Sequence, residues 1–372
     1  MQKTGNHRLS RRALFRAALG GATALAGLAG LSRTRSDAQD HAFASMALVG
    51  QVDHVRNGFD PLQMLTEWDT GTVSRLPNGQ ILREYSFVAV DKEIEIAPGI
   101  FFPAWTYNGR APGPTIRCTE GDRIRIHFVN AGSHPHTIHF HGIHPFEMDG
   151  VPGAGPGEIA PGERFTYEFD AEPFGCHLYH CHAIPLKRHI HKGLYGAFIV
   201  DPKEGRPPAR ELVMVMNGFD TNFDGENEIY AVNTVGHEYM RRPIPAKVGE
   251  RIRVYLINIT EFDPINSFHL HAEFFDYYDH GTTLEPTLRR VDTIMQCQAQ
   301  RGILEFRYRW PGRYMFHAHQ SEFAELGWMG QFNVVSEEEF PAALEAVGLD
   351  QTWERRATQG STAPFRGEVS HD

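Results

Sequence analysis

Four His-x-His pairs punctuate the chain: His139-Phe140-His141, His180-Cys181-His182, His269-Leu270-His271 and His317-Ala318-His319. On an extended strand residues i and i+2 point to the same face, so each pair sets two imidazoles side by side. One such pair says little, because a histidine is more often surface or core decoration than a ligand. Four pairs, two in each half of a chain with 21 histidines and only four cysteines, call for a metal. Neutral imidazole suits copper and supports its one-electron cycle, and eight imidazoles suffice for a cluster of three coppers.

A second site is written into the first half. Cys181 lies between His180 and His182, so on a strand its thiolate points away from the face that carries them, yet it is covalently one residue from each. A trigonal blue-copper site takes two histidines, one cysteine and a weak axial group. His136, three residues before His139, and His189, eight after Cys181, supply the imidazoles, and Leu194 takes the axial position. His191 is the rival to His189, but the spacing to Gly193-Leu194 favours His189. His134, His144, His177 and His191 read as surface or hydrogen-bonding groups. Asp149 is the first candidate to relay protons toward the cluster, with Glu147 and Glu273 behind it. Cys118, Cys176 and Cys297 have no metal-ligand spacing, and an oxidising compartment would allow a Cys118–Cys176 disulfide.

The elements that position these groups are strands. From about Leu48 β-branched and aromatic residues alternate with polar ones between Gly, Pro, Asn and Asp, which predicts an all-β chain. Gly121-Asp122-Arg123-Ile124-Arg125-Ile126-His127-Phe128-Val129-Asn130 recurs as Gly249-Glu250-Arg251-Ile252-Arg253-Val254-Tyr255-Leu256-Ile257-Asn258. Each copy leads into a histidine cluster, so the halves are two copies of one domain, 45–203 and 204–338, joined through the charged, proline-bearing stretch Asp201 to Arg210. Residues 339–372 form a C-terminal helix and tail: the helix is predicted from Ser336 to about Val347, with a polar, mobile tail beyond Gln351.

At the N-terminus Ser10-Arg11-Arg12-Ala13-Leu14-Phe15-Arg16 precedes an Ala/Gly/Leu-rich stretch to Leu31, which reads as a twin-arginine signal segment within residues 1–44 and predicts export to the periplasm or beyond. Cleavage follows Ala38 or Ala44. A net charge of −10 offers no basic patch for nucleic acid, and no apolar run is long enough for a stable membrane anchor.

The text resembles a two-domain multicopper oxidase of the laccase-like and nitrite-reductase-like cupredoxin superfamily. The resemblance rests on His136-x-x-His139-x-His141-Gly142, on His180-Cys181-His182, on the two pairs of the second half, and on Asn108 to Ile116 and Met148 to Gly153. It implies two tandem cupredoxin domains, each a Greek-key β-sandwich, with one type 1 copper in the first. It further implies type 2 copper on His139 and His269, and a type 3 pair on His141, His180, His182, His271, His317 and His319, about four coppers per chain. The implied activity is one-electron oxidation of a small reducing substrate coupled to reduction of O2 to water, in a homotrimer that shares clusters head to tail. Asn266 and Ala318 replace His136 and Cys181 in the second half, so that half builds no blue site. The Cys181 to His189 spacing is longer than in laccases and nearer that of copper nitrite reductases. A nitrite reductase, with three histidines on one type 2 copper, would not need His139, His182, His271 and His319 together. A copper carrier usually shows methionine-rich runs, and the ten methionines here are scattered.

Overall fold

The computed structural model describes residues 50–360; the basic and apolar segment at the N-terminus and both candidate cleavage points lie outside them. The chain is built from strands, as the alternation predicted, with short helices between them. In the first domain one sheet orders Trp68–Asp69, Thr115–Thr119, Tyr195–Asp201, Gly175–His180 and His139–Phe140, and the facing sheet orders Thr72–Arg75, Ile81–Ala97, Arg123–Asn130 and Arg164–Asp170. The second domain repeats the plan with a six-stranded sheet around Ile252–Asn258 and a five-stranded sheet that carries Ile265–Leu270 and Gly312–His317.

The repeated sequence occupies the same place in both halves. Arg123–Asn130 pairs parallel with Ile81–Ala97, and Ile252–Asn258 pairs parallel with Arg210–Phe219. Each repeat ends on a fully buried asparagine whose side-chain amide bonds the backbone behind the histidines: Asn130 Nδ2 donates to the carbonyls of His134 and Ile159, both at 2.8 Å, and Asn258 Nδ2 to that of Gln296 at 3.0 Å. Gln296 lies in a strand and the Ile159 carbonyl already accepts the His136 N–H, so in both copies the asparagine adds a side-chain donor that ties the end of its strand to the backbone beside the histidines.

The two domains meet sheet on sheet. Cys176, Leu178, Ala197 and Ile199 of the first pack on Val213, Val215, Tyr255, Ile257 and Ile303 of the second. At the edge of this layer Arg117 pairs with Asp201 and Glu211, both at 2.9 Å, and Arg253 pairs with Glu211 at 2.9 Å and Glu305 at 2.6 Å. Asp201 to Arg210 is therefore a packed joint, with Arg206 and Arg210 buried.

Three expectations are corrected. Cys118 and Cys176 are free and buried. Cys118 packs inside the first domain with Phe198 and Val200, whereas Cys176 packs into the layer between domains with Ala197 and Ile199, so the thiols lie on opposite faces of one sheet and cannot bridge. The predicted helix from Ser336 is only Phe340–Glu345, because Pro341 has no N–H to donate to the carbonyl four residues earlier and so can stand only in the first turn of a helix. Beyond Gln351 the chain is not a loose tail as far as it is described: Gln351–Thr358 is a helix capped by Asp350, with Trp353 and Ala357 buried. Trp353 Nε1 donates to the carbonyl of Leu62 at 2.8 Å, and Leu62 and Leu65, which precede the first-domain strands, sit in the second domain's core. Among the described residues no helix is long and apolar enough to cross a membrane.

Candidate metal centres

Cys181 follows directly on the strand Gly175–His180, His189 sits in the short helix Leu186–His191, and His136 lies on the loop bridged to Ile159. The fold brings them together. His189 Nδ1 is 3.2 Å from Cys181 Sγ and 3.2 Å from His136 Nδ1, and the third side, Cys181 Sγ to His136 Nδ1, is 3.9 Å. Ligand atoms held roughly 2.0–2.3 Å from a common ion stand about 3–4 Å apart, so this triangle fits a trigonal metal. All three residues are buried, and Leu194 is fully buried in the same core cluster as Cys181, its carbonyl accepting the Cys181 N–H at 2.9 Å.

His191 points elsewhere. Its Nε2 accepts the Asp220 N–H at 3.0 Å, and its ring packs on Phe102 and Phe262. His177 donates to the carbonyl of Pro173 at 2.8 Å and joins neither group. His134 lies against the indole of Trp105, 4.5 Å between ring centres.

The eight His-x-His imidazoles form two quartets of nearly the same shape. In the first domain the ring centres of His139 lie 5.0, 5.3 and 5.2 Å from those of His141, His180 and His182. The corresponding separations from His269 to His271, His317 and His319 are 5.0, 5.2 and 5.2 Å. Strand register explains the match, since His139 faces His180 across one antiparallel pair and His269 faces His317 across the other. His141 Nε2 and His180 Nε2 converge to 2.9 Å, as do His271 Nε2 and His317 Nε2 to 3.0 Å.

In four of the eight rings the other nitrogen is held by a carbonyl oxygen, which only accepts. His180 Nδ1 donates to Cys181 at 2.9 Å, His317 Nδ1 to Ala318 at 2.6 Å, His139 Nδ1 to Asp149 at 2.8 Å and His269 Nδ1 to Asp292 at 3.0 Å. Each bond places the proton on Nδ1 and leaves the Nε2 lone pair free for a metal. Burial lowers His136 and His180 to about 3 and His189 to about 4, so these three are neutral and ready to ligate at ordinary pH. Burial pushes the Cys181 thiol up to about 11, and a metal would displace its proton.

Asp149 caps the turn Phe146–Met148, and its Oδ1 lies 2.9 Å from His139 Nδ1 and 3.4 Å from His144 Nε2. Glu147 is exposed, and Glu273 is engaged by Arg309 at 3.1 Å.

The second domain lacks the ligands for a thiolate site and carries Trp328 where the first has Leu194. Asn266 Nδ2 donates to Thr260 Oγ1 at 3.0 Å. Ala318 N donates to the carbonyl of Trp328 at 3.2 Å, as Cys181 N does to Leu194, and the buried Trp328 indole packs on Phe268 and Phe316.

Sequence reasoning missed several groups. Trp105 covers His136 and His189 at 5.3 and 4.8 Å between ring centres. Thr137 Oγ1 accepts the His182 N–H at 2.9 Å, and Ser267 Oγ accepts the His319 N–H at 2.8 Å. The hydroxyl residue two before His139 and again two before His269 is a signal that aligning the halves would have exposed.

Two cupredoxin-like sandwiches bearing a Cys/His triangle and two imidazole quartets define a copper oxidoreductase. Multicopper oxidase family models match residues 91–205 and 206–338. A copper-containing nitrite reductase of Neisseria meningitidis is 31% identical over 268 residues, 66% of this chain and 67% of that protein. Laccase-2 of Botryotinia fuckeliana is 37% identical over 137 residues, 36% of this chain and 23% of the laccase. A crystal structure of a multicopper oxidase is 59% identical, with a TM-score of 0.75, over 77% of this chain and 100% of that one. The chain belongs to the multicopper oxidase family and is an oxidoreductase.

Proposed function

We propose that the protein is a laccase-like oxidase that takes electrons singly from a small reducing substrate and reduces O2 to water. The observation that carries this reading is the second quartet, His269, His271, His317 and His319, which matches the first to within 0.2 Å in every ring separation from its leading histidine. Three histidines would serve a single type 2 copper, and eight are present. Copper in these positions supplies one-electron acceptance from the donor and the four electrons that O2 requires. His136, Cys181 and His189 hold the type 1 ion with Leu194 in the axial position. His139 and His269 hold type 2, and His141, His180, His182, His271, His317 and His319 hold the type 3 pair. Cys181 joins the sites through its peptide links to His180 and His182, and its carbonyl also accepts the His180 Nδ1–H. Asp149 Oδ1, between His139 and His144, is the point from which a proton is handed toward oxygen.

In this reading chains close head to tail into a homotrimer. Among the described residues no hydrogen bond or ring contact joins the two quartets within one chain, and His319 is exposed. A heterologous contact between neighbours would bring one quartet of each onto the other. The proposed location, periplasm or exterior by twin-arginine export, rests on residues 10–31.

The similarity to nitrite reductases supports a second reading, reduction of nitrite. Copper counting, EPR and oxygen uptake on a phenol, on Cu(I) and with nitrite separate the two. About four coppers per chain and oxygen uptake are expected. About two coppers and nitrite turnover without oxygen uptake would sink the oxidase reading.

A further inference from the structure

The outer wall of the Cys181 site is one side chain with cations on it. Trp105 is 5% exposed and its ring centre lies 4.8 Å from His189 and 5.3 Å from His136. The Arg188 guanidinium carbon is 5.1 Å from the indole centre and Lys192 Nζ is 5.7 Å from it. The local chain explains the arrangement: Arg188 and Lys192 are four apart on the turn that carries His189, so they share a face, and the Lys192 carbonyl accepts the Trp105 N–H at 2.8 Å. Lys192 Nζ also faces Phe102 at 5.1 Å and the exposed Phe223 at 5.3 Å.

Among the described residues none of Lys187, Arg188 and Lys192 forms an ion pair with a carboxylate. Glu261 is in electrostatic reach of Lys187, and the acids in reach of the site are Asp91, toward His136 and Lys192, and Glu158, toward His189. Asp91 and Glu158 both accept main-chain donors, Asp91 from Ser133 at 3.3 Å and Glu158 from Ile184 at 2.7 Å. Lys187 lies over Phe262 with Glu261 in reach, so the charges that bear on the indole itself are Arg188 and Lys192, 5.1 and 5.7 Å from its centre, on a chain of net charge −10. At about 0.1 M salt charges beyond ~10 Å are screened, so the rim outweighs the rest of the surface.

We propose that electrons enter across Trp105 between Arg188 and Lys192, and that this entrance selects small donors bearing negative charge. The inference rests on the type 1 assignment above. One electron leaves the donor, which loses one unit of negative charge, and Cu(II) held by His136, Cys181 and His189 becomes Cu(I); no proton or bond changes hands. A cation on an indole face makes removal of an electron from that ring costlier, so Trp105 couples donor to copper without itself being oxidised.

The test is anaerobic stopped-flow bleaching of the thiolate-to-copper absorption by ferrocyanide and, separately, by hexaammineruthenium(II), over a range of potassium chloride concentrations. The ferrocyanide rate constant is expected to fall with salt and that of the ruthenium complex to stay level or rise. Arg188→Glu, at an exposed position, should slow ferrocyanide about ten-fold at low salt and leave absorption and copper content unchanged. Trp105→Phe should keep the selectivity, and Trp105→Leu should slow both donors several-fold with the same absorption. A ferrocyanide rate that rises with salt, as the whole-molecule charge dictates, or that ignores Arg188→Glu, overturns the proposal while the colour stands. A colourless copper-loaded protein overturns the type 1 assignment itself, and the proposal with it.

Discussion

The backbone N–H of Thr137 donates to Cys181 Sγ at 3.3 Å. The same residue's hydroxyl accepts the His182 N–H and lies 3.9 Å from the sulfur, so Thr137 touches both the thiolate and the main chain of a neighbouring ligand. Its counterpart Ser267 accepts from His319 and turns its proton to Gln320 Oε1 instead, there being no sulfur to receive it. Thr137→Val keeps the shape and the main-chain donor and removes the hydroxyl. A weaker hydrogen bond to the thiolate should lower the potential of the bound copper, and the orphaned His182 N–H should cost about 1 kcal/mol. Thr137→Ser should restore both, as potentiometric titration and thermal melts would show. An unchanged potential in the valine variant would remove Thr137 from the electronics of the site.

The buried indole of Trp328 stands behind Ala318 as Leu194 does behind Cys181. Asn266→His with Ala318→Cys should therefore create no second thiolate absorption until Trp328 is also shortened to Leu. Trp328→Ala alone should cost about 3–5 kcal/mol, because the aromatic cavity it leaves is lined by Phe268 and Phe316. Copper counting and denaturant titration check the two parts.

If the clusters are shared between chains, as proposed, complementation follows. His180→Ala chains and His317→Ala chains, each inactive, should regain oxygen reduction when dissociated, mixed and reassembled, since some interfaces then hold all eight ligands. Copper should also raise the melting temperature of the assembly more than that of isolated chains. A monomeric mass, or no recovered activity after proven exchange, would confine the cluster to one chain.

Acid should open the joint between domains. Burial alone would raise the Glu211 carboxyl, but Arg117 and Arg253 outweigh it and hold it at about 2, below its ordinary 4.5. A carboxyl depressed in the folded state contributes stability in full above its unfolded value, and that contribution drains away as pH falls from about 4.5 toward about 2. Glu211→Gln leaves Arg117 and Arg253 short of countercharge and should cost about 3 kcal/mol at neutral pH, with a flatter acid limb in a pH series of melts.

The strand architecture and the histidine geometry were legible because both depend on period two: a His-x-His pair on a strand has one outcome. The internal repeat then located the two quartets. What was not legible depends on register between distant strands or on contacts far apart in sequence. The opposite facing of Cys118 and Cys176 follows from how Thr115–Thr119 and Gly175–His180 each pair with Tyr195–Asp201. Gln351–Thr358 reads as polar because only Trp353 and Ala357 are buried, four apart, although Asp350 marked its start. Trp105 stands far from every histidine motif in sequence and reaches the site through the Lys192 carbonyl.

The hydrogen bond from Trp353 to Leu62 ties an early segment of the chain to a late one, on the core of the second domain. The segment that leads into the first domain's strands finds its place only after the helix near residue 353 has been made. Vectorial folding from the ribosome thus cannot complete the molecule half by half, and a nick or truncation near Leu62 should loosen the opposite end of the chain as much as its own.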